Sequence, residues 1–234
     1  KCGTSRLRSW ASPVVFRGIF FHITLKRFFD KAGCKTEDKM SPDYWSQAQR
    51  ELSAADPVMA ELIASYPGEL LQTRGDAYYT LARSIVGQQV SVKAADSMWA
   101  KFEALIGEMT PSCQLEMNEE SLRNCGLSRQ KIRYLGEIAR FFIENDVNEA
   151  WFAEKSDEKV MKSLVSITGV GKWTAEMFLI FHLLRPDVLP LDDIGLQRAC
   201  ERHYPAQVQP EMPKKQKYQA IEMLAERWQP WRSV

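Results

Sequence analysis

With 234 residues, 45 % of them hydrophobic, the chain is long enough to bury a sizeable core as one domain or two packed lobes. Its five cysteines are widely spaced, with no Cys-x-x-Cys pair and no paired histidines, which argues against a zinc site and fits a reducing compartment. The formal net charge is only +1, so affinity for a polyanion has to come from a local basic patch.

In chain order, a basic stretch comes first. Residues 1–40 hold nine Lys/Arg against three Asp/Glu, which leaves a net −5 on the rest. Lys1 to Phe29 has no acidic residue, several arginines and an apolar, aromatic run, the composition of an organelle transit peptide; it equally suits translated upstream sequence with Met40 as the start. We set residues 1–40 apart as a basic extension and take 41–234 as the folded domain. Apolar periodicity predicts helices over Asp43–Ala54, Pro57–Ser65, Asp76–Gln88, Lys93–Ile106 and Gln130–Glu144, then a hairpin pair within about 160–184, then Ile194–Arg202 and Pro213–Trp228. No run alternates with strand period, so the fold class is all-α. No long uncharged apolar run lies in this part, which argues against a membrane span.

The hairpin carries the most information. Val160, Met161, Leu164 and Val165 recur at helical spacing before the turn, and Trp173, Met177, Ile180, Phe181 and Leu184 after it, with Gly169 and Gly171 between. Glycine there reaches positive φ and lets another backbone approach, while N–H groups at the new helix start face outward and Lys172 adds a charge. That makes a grip on phosphate that is blind to base sequence. An ordinary helix-to-helix turn uses the same glycines, so the pattern alone leaves both readings open. Beyond Arg185-Pro-Asp-Val-Leu-Pro-Leu191, Asp192-Asp193 opens the next helix. Asp193 is placed as its N-cap, where the helix dipole and N–H donors favour the charged carboxylate. An ionised, rigidly held carboxylate is what a developing sugar oxocarbenium ion needs beside it.

Together, Ile167-Thr-Gly-Val-Gly-Lys-Trp-Thr-Ala-Glu-Met177 and Asp-Ile-Gly-Leu-Gln-Arg198 resemble the helix-hairpin-helix DNA glycosylases. The resemblance implies a two-lobed helical fold with the active cleft between the lobes. One lobe surrounds the hairpin; the other is made from residues before about 75 and after about 190. It makes Asp193 the catalytic residue for N-glycosidic bond cleavage, with Asp192 part of the cap, and Gly169, Gly171 and Lys172 DNA-binding. Bifunctional relatives place a nucleophilic lysine where this chain has Trp173; Lys172 sits one residue early, about a hundred degrees round the helix. The resemblance therefore implies a monofunctional enzyme that leaves an abasic site.

Tryptophan at this place is similar to the 3-methyladenine DNA glycosylase II branch, whose substrates are alkylated purines. Trp173 is then a wall of the base pocket, acting through stacking and cation–π attraction, although a core role suits it equally. Leu81 to Ala95 resembles the segment bearing the minor-groove wedge, so Gln89, with Gln88 beside it, is the side chain expected to plug the stack, unless both are merely polar residues at a helix end. Asp56-Pro-Val-Met-Ala and Cys125-Gly-Leu-Ser-Arg-Gln-Lys-Ile-Arg also resemble the branch, which carries the likeness from about Pro42 to Val234. Other basic residues expected to contribute to DNA affinity are Lys93, Arg129, Lys131, Arg133 and Arg198.

The resemblance implies no required cofactor, a structural Na⁺ or K⁺ on the backbone carbonyls of Val165, Ile167 and Val170, and a monomer acting on double-stranded DNA that contains alkylated bases. The location it implies is intracellular and DNA-associated: bacterial cytoplasm or nucleus, or an organelle if residues 1–40 are a transit peptide. Some relatives carry an iron–sulfur cluster after this domain. Glu222 to Val234 reads like the start of the family's final helix, so the chain is expected to stop before the stacking aromatic carried there. Two rivals stand: a non-enzymatic helix-hairpin-helix DNA-binding module, which needs neither Asp193 nor Trp173, and a glycosylase for oxidised or mismatched bases.

Overall fold

The computed structural model describes residues 42–68, 70–73 and 76–234; the basic extension lies outside them. The described residues form helices and no strand. In order these are α1 (Trp45–Ala55), α2 (Pro57–Ser65), α3 (Ala77–Gly87), α4 (Val92–Ile106), α5 (Pro111–Leu115), α6 (Glu119–Asn124), α7 (Arg129–Glu144), α8 (Glu149–Ala153), α9 (Asp157–Val165), α10 (Lys172–Phe181), α11 (Ile194–His203) and α12 (Lys214–Ala225). A 3₁₀ turn, Glu226–Trp228, follows, so the helix expected to run to Trp228 tightens after Ala225. The short helices α5, α6 and α8 are additions to the expected set. They are too short to show a 3.6-residue period, but each is announced by a capping residue: Thr110, Asn118 and Asn148.

Two buried apolar clusters organise these helices. The larger is centred on α3, whose Leu81, Ala82, Ile85 and Val86 meet Leu135, Ile138 and Ala139 of α7 and the apolar length of α10. Lys131 of α7 stays half-buried here because its Nζ donates to the Val86 carbonyl at 2.8 Å, satisfying the carboxyl end of α3. The smaller cluster gathers Leu52 of α1, Cys200 and Tyr204 around α11, and Ile221, Leu224, Ala225 and Trp228 from the C-terminal region. Residues on both sides of the chain's middle therefore share one core.

Asp56 fastens that second core. It caps α2 through Oδ1, which accepts from Val58 N at 2.9 Å, while Oδ2 accepts from Tyr204 Oη at 2.9 Å and Trp228 Nε1 at 3.0 Å. Burial alone would raise its carboxyl; the Trp228, Tyr204 and backbone donors outweigh burial and hold it below the ordinary range. The last residues act as a strap. Arg232 grips Asp187 through Nε and Nη2 at 2.5 and 2.9 Å, the Val188 N–H donates to Ser233 Oγ at 2.9 Å, and Trp231 stacks on Tyr44 and donates to Glu51. The connection between α10 and α11 is thereby clamped against α1. Among the described residues no helix is long and apolar enough to cross a membrane.

Candidate active site

Every helix from α2 to α11 has a side-chain N-cap except α10. Its N-cap is Gly171, which has no side chain to offer, so the first N–H groups of α10 lack a side-chain acceptor, as do those of the terminal helices α1 and α12, which start at Tyr44 and Pro213. A helix start left in this state favours an external anion.

The two hairpin glycines do different work. Gly169 has φ +99°, a conformation L side chains rarely adopt, and a Cβ there would collide with the ring of Tyr134. Its carbonyl accepts from Gln88 Nε2 at 3.1 Å, so α7 and the end of α3 together hold the turn. Gly171 has φ −85°, and a Cβ there would meet nothing within 4 Å among the described residues. The first glycine closes the turn against the protein; the second faces open space. Ile167, whose carbonyl is one of the three expected cation ligands, accepts the Val170 N–H at 3.0 Å in the same turn, with Val165 exposed and Val170 buried.

Trp173 and Asp193 meet. Asp193 caps α11 by accepting from Leu196 N through Oδ1 at 2.8 Å, and its Oδ2 accepts from Trp173 Nε1, also at 2.8 Å. One donor on each oxygen fixes the carboxylate plane while it remains 8 % exposed. Trp173 packs on the larger core, whereas Leu196 and Cys200 of α11 belong to the smaller, so this hydrogen bond spans the seam between the cores. Both sequence readings of Trp173, aromatic wall and core residue, describe part of a half-buried ring whose N–H is committed to the carboxylate.

Asp192 is built differently. It is exposed and bound from α12, by Lys214 Nζ at 3.0 Å and Tyr218 Oη at 2.6 Å, and these two partners hold its carboxyl below the ordinary range. Ile194, the residue after Asp193, stands 57 % exposed at the same helix start.

Three participants were not legible as site residues in the sequence. Tyr134 lies 35 positions from Gly169, and Tyr218 lies 26 from Asp192, distances that only the fold closes. Glu176 is one turn on from Lys172, a visible i,i+4 spacing, but nothing in the sequence marks it as buried. It is 4 % exposed; Lys172 Nζ lies 3.5 Å from Oε1, and Oε2 is buried with no hydrogen-bond partner among the described residues. Burial is the main force raising its carboxyl; Lys172 opposes the shift, and Asp192 and Asp193 add to it.

Of the expected wedge pair, Gln88 is half-buried and turned to the hairpin, while Gln89 is exposed with φ +58° on the loop before α4, next to exposed Val90. Of the expected basic patch, Lys131 is committed to Val86 and Arg129 pairs with Glu119 at 3.3 Å, whereas Lys93, Arg133 and Arg198 are exposed. Among the described residues no cluster of His, Cys, Asp and Glu is arranged to hold a metal ion.

The chain is 33 % identical over 143 residues to DNA-3-methyladenine glycosylase 1 of Schizosaccharomyces pombe, a match covering 59 % of this chain and 63 % of that protein. The chain spans about half to just under two thirds of the length of the first curated relatives it matches. Its fold superposes on a crystal structure of a DNA-3-methyladenine glycosidase from Bacillus halodurans with a TM-score of 0.70 and 28 % identity, covering 85 % of this chain and 88 % of that one. It also superposes on the S. pombe 3-methyladenine DNA glycosylase in complex with abasic DNA, with a TM-score of 0.66 and 29 % identity over 80 % of this chain and 91 % of that one. Residues 82–230, which contain the hairpin, Trp173 and Asp193, match the HhH-GPD superfamily of base excision DNA repair proteins, and the chain belongs to that superfamily.

Proposed function

We propose that the chain is a monofunctional DNA glycosylase that flips alkylated purines of the 3-methyladenine and 7-methylguanine type out of duplex DNA and hydrolyses the N-glycosidic bond, leaving an abasic site. The observation that carries this reading is the Trp173–Asp193 hydrogen bond, which puts an electron-rich ring and a fixed carboxylate in one place. The uncapped start of α10 and Lys172 hold phosphates near the lesion. Gln89 fills the gap in the stack as the damaged base rotates towards Trp173. Asp193 faces the positive charge that grows at C1′ and orients the attacking water, its carboxylate already set by two donors and so needing little reorganisation. Alkylation at a ring nitrogen makes the base a good leaving group, so the site needs no strong general acid.

A monovalent cation at the hairpin would take the carbonyls of Val165, Ile167 and Val170; that of Ile167 keeps one lone pair beyond its turn hydrogen bond. Such an ion would brace the turn, and the chemistry at C1′ does not require it. The reading also makes the enzyme a monomer, since one chain supplies both Trp173 and Asp193.

The test is single-turnover excision on duplexes that each carry one defined lesion. Release of 3-methyladenine or 7-methylguanine is expected from the wild type, and Asp193→Asn should slow it on the order of a thousandfold while binding of the damaged duplex stays within about tenfold. Borohydride should trap no adduct above the background of abasic-site chemistry. Excision confined to oxidised or mismatched bases would overturn the substrate class, and an adduct on an intact lesion that Lys172→Ala removes would overturn the monofunctional assignment.

A further inference from the structure

Glu176 is the buried charge-bearing group at the site that the chemistry above does not use. Its one cationic neighbour among the described residues is Lys172, whose side chain is 59 % exposed and stands at the helix start assigned to phosphate. The other charged groups that face it are acidic: Asp192 and Asp193 on the connection into α11. Lys214 and Tyr218 of α12 reach this cluster only by binding Asp192. Oε2 has no donor. Glu176 as a carboxylate therefore depends on a lysine that, on the reading above, is wanted elsewhere when DNA arrives.

We propose that Glu176 makes DNA binding proton-coupled: when Lys172 turns from Glu176 to a phosphate, the stranded carboxylate takes up one proton from solvent. The inference rests on the assignment of Lys172 to phosphate. The balance is simple: an ammonium–carboxylate pair becomes an ammonium–phosphate pair plus a neutral carboxylic acid, with one proton drawn from water. A carboxylate left buried without its lysine, in the field of two other carboxylates, is costly, and protonation removes that cost. The sign of the linkage follows. Because the complex binds more protons than the free components, affinity falls as pH rises through the range in which free Glu176 is ionised and bound Glu176 is not. The phosphates that arrive with the duplex push in the same direction.

The test is calorimetric titration of the full chain with a duplex carrying a tetrahydrofuran abasic analogue, at one pH near about 6.5, in buffers that differ in ionisation enthalpy; the slope gives the protons exchanged. Wild type is expected to take up a substantial fraction of one proton per duplex. Glu176→Gln, a neutral isostere, should take up essentially none and bind with a flatter pH dependence. Lys172→Ala, on an exposed side chain, keeps the test intact if the Gln variant folds poorly; it should bind more weakly and take up fewer protons than wild type, because no ammonium is withdrawn from its Glu176 when DNA arrives. Equal uptake by wild type and Glu176→Gln overturns the proposal, as does no uptake by the wild type. The two readings fail separately. Base release without proton uptake leaves the glycosylase standing and overturns the coupling. Uptake lost in Glu176→Gln, in a protein that releases no base, does the reverse, and a protein that does not bind the duplex overturns both.

Discussion

Asp56 and Glu176 are both almost wholly buried, at 1 % and 4 % exposure, yet Asp56 has donors on both oxygens while Glu176 has one lysine on one oxygen. Their carboxyls are displaced in opposite directions: burial works against Asp56 but its donors win, and burial wins at Glu176. The regions around them explain the contrast. Asp56 sits in the smaller core, where little apolar surface is buried and a fully satisfied carboxylate ties α2, the segment after α11 and the 3₁₀ turn together. Glu176 lies on a helix packed into the larger core, which tolerates an incompletely satisfied group at the edge facing Asp193. Full satisfaction marks a structural fastener, and a missing partner marks a place kept ready for something else.

The largest structural effect that would sharpen this contrast comes from removing the fastener. Asp56→Ala strips the cap from α2 and leaves the Tyr204 hydroxyl and Trp228 N–H buried without their acceptor, a loss of about 3 kcal/mol and a Tm lower by on the order of 10 °C. The pH dependence follows from the depressed carboxyl: the stabilisation is complete above the ordinary carboxylate range and disappears as pH falls through the folded-state value. Glu176 runs the other way, its raised carboxyl costing stability as pH rises above the ordinary range. Thermal melts against pH should therefore lose their acid limb in Asp56→Ala and gain stability at neutral pH in Glu176→Gln. An unchanged acid limb in Asp56→Ala would mean that the smaller core holds without it.

The hairpin glycines divide along the same line, one closed against the protein and one open. Gly169→Ala forces an L side chain to a φ of +99° and into Tyr134, so about 2 kcal/mol of stability should be lost with DNA affinity. Adding Tyr134→Ala should restore part of the melting temperature. Gly171→Ala meets no neighbour among the described residues and should lower the melting temperature less than Gly169→Ala, by no more than the loss of a glycine N-cap, while weakening binding to damaged and undamaged duplexes equally as a methyl group intrudes on the phosphate. Weakening confined to damaged DNA would move Gly171 from the phosphate grip to the base pocket.

These residues also show how far a sequence reading reaches. Long helices, the hairpin and the Asp193 cap are written in local patterns: apolar spacing, a Gly-x-Gly turn and a carboxylate before Ile194. Helices α5, α6 and α8 are too short for a period to show. The satisfaction state of Asp56, the ring over Gly169 and the burial of Glu176 are set by contacts between distant segments, which no local window contains. Gln88 is the instructive intermediate. It stands in the right loop, but its amide is turned to the Gly169 carbonyl, and only Gln89 faces outward.

Trp173→Phe would make Asp193 resemble Glu176. The ring that can stack on a base is kept, while Oδ2 loses its donor and the carboxylate is left with the Leu196 N–H on Oδ1 alone. A hydrogen bond to a charged group contributes roughly 1.5 kcal/mol or more, so base release should slow about tenfold with binding little changed. If binding of the flipped state fell while the chemical step held its rate, the indole would be acting as a platform and the hydrogen bond would be incidental.

Asp192→Asn is the smallest expected effect and the sharpest check on which aspartate does the chemistry. Asp192 has two partners, as a fastener should, but they are a half-buried tyrosine and an exposed lysine of α12, and an ion pair in solvent contributes at most about 1 kcal/mol. Asparagine keeps the carbonyl oxygen that Tyr218 and Lys214 reach. It also removes one of the two acidic neighbours of Glu176, which eases the ionisation of that group without touching the Trp173–Asp193 bond. Excision should stay within about threefold of wild type, the melting temperature should barely move, and the proton uptake on binding should shrink rather than vanish, since Asp193 and burial still act on Glu176. A loss of base release as large as that of Asp193→Asn would instead mean that the exposed carboxylate, and not the one held by Trp173 and Leu196, faces C1′.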